Sequence, residues 1–253
     1  MTAELIAGAS VTGLVAGALL DPLGQRLAEH SRRTQRRKDE AAAVVPAGTP
    51  AGHETEPPQL LPVGVSPVRT AGAALVTAAL VGGAAARFGP HLTLVPFSLF
   101  FCVLVAVSTT DLSHGLIPRR LVYPAFVAIF WLLALVAAVD GEWHRLASAG
   151  VGAAVTFAVL FVLWWLAPRG IGFGDVRLSA LIGLATGWIG LLDVYVGVVS
   201  GFILGLLFGI GTMAVRGSGR RVRIPFAPAL AGGAVVAVFW GAPIVHTVFH
   251  GTL

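Results

Sequence analysis

The stretch Gly172-Phe173-Gly174-Asp175-Val176-Arg177-Leu178 runs without a break into apolar sequence, which sets a carboxylate at the mouth of a hydrophobic helix. Ionisable groups at or inside a bilayer are costly, and one in such a place points to function. The two glycines let the backbone turn sharply and approach a bound group closely. A helix mouth of this kind requires a membrane-spanning chain, and the composition supplies one. Of 253 residues, 56% are hydrophobic and 11% charged, whereas a soluble domain carries about 25% charge. Mean hydropathy is +0.85. There are too few polar residues to cover a water-facing globule, and the chain reads as an all-α, polytopic membrane bundle.

Apolar segments of the roughly 20 residues that cross a hydrocarbon core recur eight times, near 4–21, 71–88, 92–110, 121–139, 146–167, 175–192, 194–215 and 225–249. The sixth is short and broken by glycine. The first run follows Met1-Thr2-Ala3-Glu4, with no basic region ahead of it, and reads as a span rather than a cleaved signal. Gly197, Gly201, Gly205 and Gly209 form a four-residue ladder expected to make a close helix–helix seam. The expected organisation is a first transmembrane helix over 1–21, a connection over 22–70 and a transmembrane domain over 71–253. The connection is basic at first; from Val45 to Pro67 it is rich in Pro, Gly and Ala, has little to bury and is expected to be disordered.

Charge fixes the expected orientation. Fifteen of the 17 Lys and Arg residues fall in alternate connections, and only Arg87 and Arg145 fall on the other side. That bias places both termini outside an inner or plasma membrane and Asp175 on its cytoplasmic face. The net charge of +5 is therefore topological, and the run Arg32 to Lys38 reads as charge against anionic lipid, not as a nucleic-acid patch. The single cysteine, Cys102, excludes an intramolecular disulfide and a zinc site built on several thiolates. His246 and His250 have metal-ligand spacing but no third ligand, so no metal is expected, and no Gly-rich phosphate loop calls for a nucleotide cofactor. His114 reads as a solvated loop histidine. Trp143, Trp164, Trp165 and Tyr123 suit an interfacial aromatic belt.

A second acid on the same face is Asp111, in Thr110-Asp111-Leu112-Ser113-His114-Gly115-Leu116-Ile117-Pro118. It closes the third span as Asp175 opens the sixth. Asp21 closes the first span, and Asp140, Glu142 and Asp193 fall on the opposite face. Two carboxylates that approach closely tend to share one proton, which makes one a base and the other an acid at the same pH. Such a pair can activate a water and protonate a leaving amine. Taken singly, an Asp at a helix end is more often a cap. Two apolar boundaries, one face and the flanking glycines together favour catalysis, while separation in sequence leaves open whether the acids meet.

Three blocks in order resemble the type IV prepilin leader peptidases, membrane aspartyl proteases of the Gly-x-Gly-Asp class. They are Asp111 with Leu116-Ile117-Pro118, Gly172-Phe173-Gly174-Asp175-Val176-Arg177-Leu178 followed by Gly183 and Gly187-Trp188, and Ile224-Pro225-Phe226-Ala227-Pro228. The last has alanine where the family pattern has glycine. The resemblance implies that Asp111 and Asp175 are the catalytic pair and that Gly172, Phe173 and Gly174 form the turn that aims Asp175. It leaves Ile117, Pro118, Arg177, Pro225, Phe226 and Pro228 as substrate or structural support. It further implies a prepilin or pseudopilin substrate, cut on the cytoplasmic side just before its hydrophobic N-terminal helix. Larger members carry paired cysteines in the first cytoplasmic loop and methylate the product with S-adenosylmethionine. No cysteine occurs in 22–70, so a peptidase without cofactor or methyltransferase activity is expected. The other readings are a proton- or cation-coupled transporter using the same acids and a non-catalytic scaffold. Acids at the membrane edge, with no inverted repeat, weigh against the first; intact acids weigh against the second.

Overall fold

The computed structural model describes residues 2–43, 67–115, 117–167, 171–216 and 225–250. Among these lie eight α-helices: α1 (Thr2–Ala43), α2 (Pro67–Phe88), α3 (Leu94–His114), α4 (Arg119–Asp140), α5 (Trp143–Leu166), α6 (Phe173–Ile189), α7 (Leu191–Arg216) and α8 (Ala227–Val245). A π-helical turn over His246–His250 extends α8. No strand occurs among the described residues. Seven of the helices are long and apolar enough to cross a membrane by length and composition.

The exception is α6. Its 17 residues reach about 26 Å at 1.5 Å per residue, short of a hydrocarbon core of about 30 Å. Neighbouring helices rather than lipid cover it: Val176, Leu178, Leu181, Leu184 and Trp188 are all fully buried. A helix shielded in this way has no need of a full-length apolar surface, which accounts for its glycines and its brevity.

α1 departs from the expected boundary. Its membrane-compatible part is Ala3–Leu27, and the helix continues to Ala43. The Gln, Arg, Leu, Glu, Lys and Ala residues that follow Gly24 are strong helix formers, and they carry the helix past Pro22. Most of the Pro/Gly/Ala-rich stretch expected to be disordered lies outside the described residues; Pro67 opens α2.

Small residues let the backbones approach. A Cβ at Gly187 would lie 2.7 Å from the carbonyl oxygen of Ser148 in α5. Where α5 and α6 cross, Thr156 Oγ1 donates to Ser179 O at 2.8 Å and Ser179 Oγ donates back to Thr156 O at 3.2 Å. Such hydrogen bonds contribute about 0.6 kcal/mol each in a membrane protein, so close packing carries most of the association. The ladder on α7 meets α8 as expected: Gly197 faces Ala237, Gly201 faces Leu230 and Gly205 faces the Phe226 ring. α3 runs through the middle, with Phe97, Phe100, Phe101 and Leu104 buried, and touches α1, α2, α4 and α8. The end of α3 and the starts of α4, α6 and α8 share one end of the bundle.

Candidate active site

Asp111 lies in the last turn of α3 and is 7% exposed. The helix stops at Gly115, whose φ of 59° is the left-handed value that favours glycine and whose N–H donates to Asp111 O at 2.7 Å. Pro118 then N-caps α4, and Ile117 sits between the two helices. Asp111 Oδ2 accepts the backbone N–H of Ala227 at 3.1 Å. That donor is available for a local reason. The first N–H groups of a helix have no partner within it; Pro228 has none to give, and the N–H groups of Ala229 and Leu230 both go to Phe226 O at 3.1 Å.

Asp175 is the third residue of α6 and is also 7% exposed. Its Oδ2 accepts the N–H of Gly172 at 3.1 Å, while its own N–H donates to Gly172 O at 3.0 Å. The side chain thereby reaches back to the residue that precedes the helix, as the acid of a capping box does. Gly172 itself has φ −77° and ψ 142°, an extended conformation open to any residue. The backbone at this position therefore does not itself call for glycine. Proximity is what calls for glycine: a Cβ on Gly172 would lie 3.1 Å from Asp175 Oδ2, and one on Gly174 would lie 2.9 Å from Ile117 Cβ. Gly174 thus seats the first turn of α6 directly against the segment that follows Asp111.

Aromatic rings complete this end of the bundle. Phe173 packs on Trp164, with centroids 5.0 Å apart, and Arg177 stacks 4.4 Å above Phe173 and 5.5 Å above Tyr123. Phe226 packs on Phe202 at 5.5 Å and fixes the start of α8, where Pro225 and Pro228 flank it. Trp164, expected in an interfacial belt, is half-buried in these contacts, whereas Tyr123, Trp143 and Trp165 are exposed.

The residues of all three sequence blocks therefore converge. Ile117 meets Gly174, and Asp111 meets Ala227. Each acid has one oxygen held by a backbone N–H at a helix start, which fixes the direction of the other oxygen. Three features went unread in the sequence. His114, expected as a solvated loop residue, is the last residue of α3 and is buried. Asp21 is 1% exposed, and its Oδ2 accepts Gln25 Nε2 at 2.9 Å and Thr70 Oγ1 at 3.2 Å; the four-residue spacing of Asp21 and Gln25 was the available signal. The role of the Ala227 amide could be inferred only from the proline beside it. Asp193 lies at the opposite end, at the start of α7. Among the described residues no group of three His, Cys, Asp or Glu side chains could hold a metal, and His246 is exposed.

Residues 98–215 match the Type IV leader peptidase family. The chain is 34% identical over 173 residues to a prepilin leader peptidase/N-methyltransferase of Bacillus subtilis, covering 68% of this chain and 66% of that protein. It is 34% identical over 149 residues to one of Xanthomonas campestris pv. campestris, covering 57% and 49%. With one of Burkholderia pseudomallei the identity is 33% over 177 residues, covering 67% and 54%. The matched stretch thus spans between about half and two thirds of the length of these relatives. No solved structure matches the chain.

Proposed function

The chain belongs to the type IV leader peptidase family through residues 98–215, and from that premise we propose that it is a membrane aspartyl endopeptidase that removes the leader of prepilin-like or pseudopilin substrates. Asp111 and Asp175 are its catalytic pair. They share one proton: the ionised member takes a proton from a water held between them, and the protonated member gives its own to the scissile carbonyl oxygen. Collapse of the tetrahedral intermediate returns a proton to the leaving amine and regenerates the pair. No covalent intermediate is needed.

The observation that carries this reading is the convergence of the blocks around the two acids, through Gly174 against Ile117 and Ala227 N–H on Asp111. The three relatives supply the substrate class through the name they share. The uneven distribution of Lys and Arg favours cleavage on the cytoplasmic side of the plasma membrane, with both termini outside. A substrate helix then lies among the spans while its basic leader stays in water. The proposal is confined to the peptidase, since no cysteine occurs in 22–70 to build the stapled loop.

The test is cleavage of a prepilin-like substrate by the full chain in membranes, with the product sequenced from its N-terminus. A single cut ahead of the hydrophobic helix, without the mass of an added methyl group, is expected. Asp111→Asn and Asp175→Asn should each abolish product while the protein stays membrane-inserted. Full processing by either variant sinks the shared-proton mechanism, and proton-coupled flux without any product would point to a transporter.

A further inference from the structure

Polar side chains from α1, α2 and α3 meet at the last turn of α3. Arg69 Nη1 of α2 donates to Ser113 Oγ, which in turn donates to Thr109 O at 2.6 Å. Thr70, next to Arg69, donates to Asp21 of α1, and Asp21 also holds Gln25. Gly24 brings α1 against Thr110, where a Cβ would lie 3.2 Å from Cγ2. Ser113 is two residues beyond Asp111, so it lies about 200° round the helix from it. The last turn of α3 is consequently gripped from two directions: by Arg69 through Ser113, and by the Ala227 amide through Asp111.

This cluster is poorly made for holding helices together. Among the described residues Arg69 Nε and Nη2 and Asp21 Oδ1 are buried with no hydrogen-bond partner, and such atoms cost stability. α1 and α2 already pack closely at Gly13 and Gly17 without them. A polar joint kept at a cost beside a candidate catalytic acid has another use.

We propose that Arg69 is a positioning residue for Asp111, its grip on Ser113 opposing that of Ala227 so that the last turn of α3 cannot rotate. The inference rests on the peptidase reading and deepens it. A rotation of about 10° at a side-chain radius of about 5 Å moves a carboxylate by about 1 Å, and a 1 Å misplacement can cost about 100-fold in rate.

The experiment compares wild type, Arg69→Met, Arg69→Lys, Ser113→Ala and the Arg69→Met/Ser113→Ala double variant on the same prepilin-like substrate, each normalised to folded protein. Arg69→Met should be as resistant to thermal denaturation as wild type or more so, with kcat lower by roughly 10- to 100-fold and KM within about twofold. Arg69→Lys should recover most of kcat. Ser113→Ala removes the same contact by a small change and should repeat the loss, with the double variant no worse than either single one. Unchanged kcat, a loss carried by KM, or a loss matched by unfolding would each overturn the proposal. Should wild type give no product, the peptidase reading falls and takes this one with it; should wild type cleave and every variant match it, only the role of Arg69 falls.

Discussion

Two aspartates occupy the same place in successive helices, Asp175 as the third residue of α6 and Asp193 as the third residue of α7. Each follows a glycine by three positions, Gly172 and Gly190, each is 7% exposed, and each has an arginine stacked on a phenylalanine in its neighbourhood. They lie at opposite ends of the bundle. What separates them is the residue between the cap and the acid. Before Asp175, Gly174 lets Ile117 and the end of α3 close in, and a second acid comes with that helix. Before Asp193 stand Leu191 and Leu192, which are exposed, and the carboxylate turns against Gly241 of α8, where a Cβ would collide with Oδ1. The same local device is a packing feature at one end and a candidate active site at the other, according to what a second helix is allowed to bring.

Exchanging both acids for amides is the strongest way to break this comparison. Asp111→Asn or Asp175→Asn should lower the rate of prepilin cleavage by roughly 10³-fold or more, since acid–base groups supply about 10²- to 10⁴-fold each. Asp193→Asn should leave it within about threefold. Comparable losses from all three, in initial rates per folded protein, would erase the distinction. Gly174→Ala comes next. Its new methyl meets the Cβ of a branched residue rather than the tip of a flexible chain, so the first turn of α6 must shift, at a cost of about 10²-fold. Ile117→Gly in the same chain, which removes that Cβ, should restore part of that loss. If Gly174→Ala cleaves like wild type, close approach is not what the second glycine provides.

Much of this was legible in the residues and some was not. Composition and apolar runs mark the bundle because a membrane leaves few alternatives, and the short, glycine-broken sixth span is informative in its own way: α6 is the helix hidden by its neighbours. The blocks around Asp111 and Asp175 could be read because each pairs a rare polar residue with Gly or Pro at an apolar boundary, and the block at Pro225 because two prolines open an apolar run. The Ala227 amide could be read only indirectly, from Pro228 beside it, because a backbone donor carries no residue type. This also explains how alanine can stand where the resembling pattern has glycine, since the N–H that reaches Asp111 is the same in both. The inward placement of Asp21 and Arg69 is hidden in the sequence for another reason. A charge near a helix end looks the same in sequence whether it faces water or is folded inward, and only the packing of α1 and α2 on α3 distinguishes the two.

The smaller effects sharpen the comparison from the side of stability. Gly241→Ala should destabilise the chain by about 1–3 kcal/mol through overpacking against Asp193 while kcat of the folded fraction stays unchanged. Asp193→Ala in the same chain should relieve it. A denaturation midpoint measured beside the cleavage rate checks both, and a fall in kcat at constant folded fraction would mean that the far end of the bundle is coupled to the acids. Arg177→Lys should have the least effect. Lysine keeps the charge, and what is lost is the planar stacking over Phe173 and Tyr123. At this half-buried site a cation–π contact contributes about 1 kcal/mol, which sets a ceiling of a few-fold on the rate if the contact helps to hold the first turn of α6. Arg177→Met, which removes the charge as well, should fall further. If lysine costs as much as methionine, the stacking geometry rather than the charge is what this position contributes.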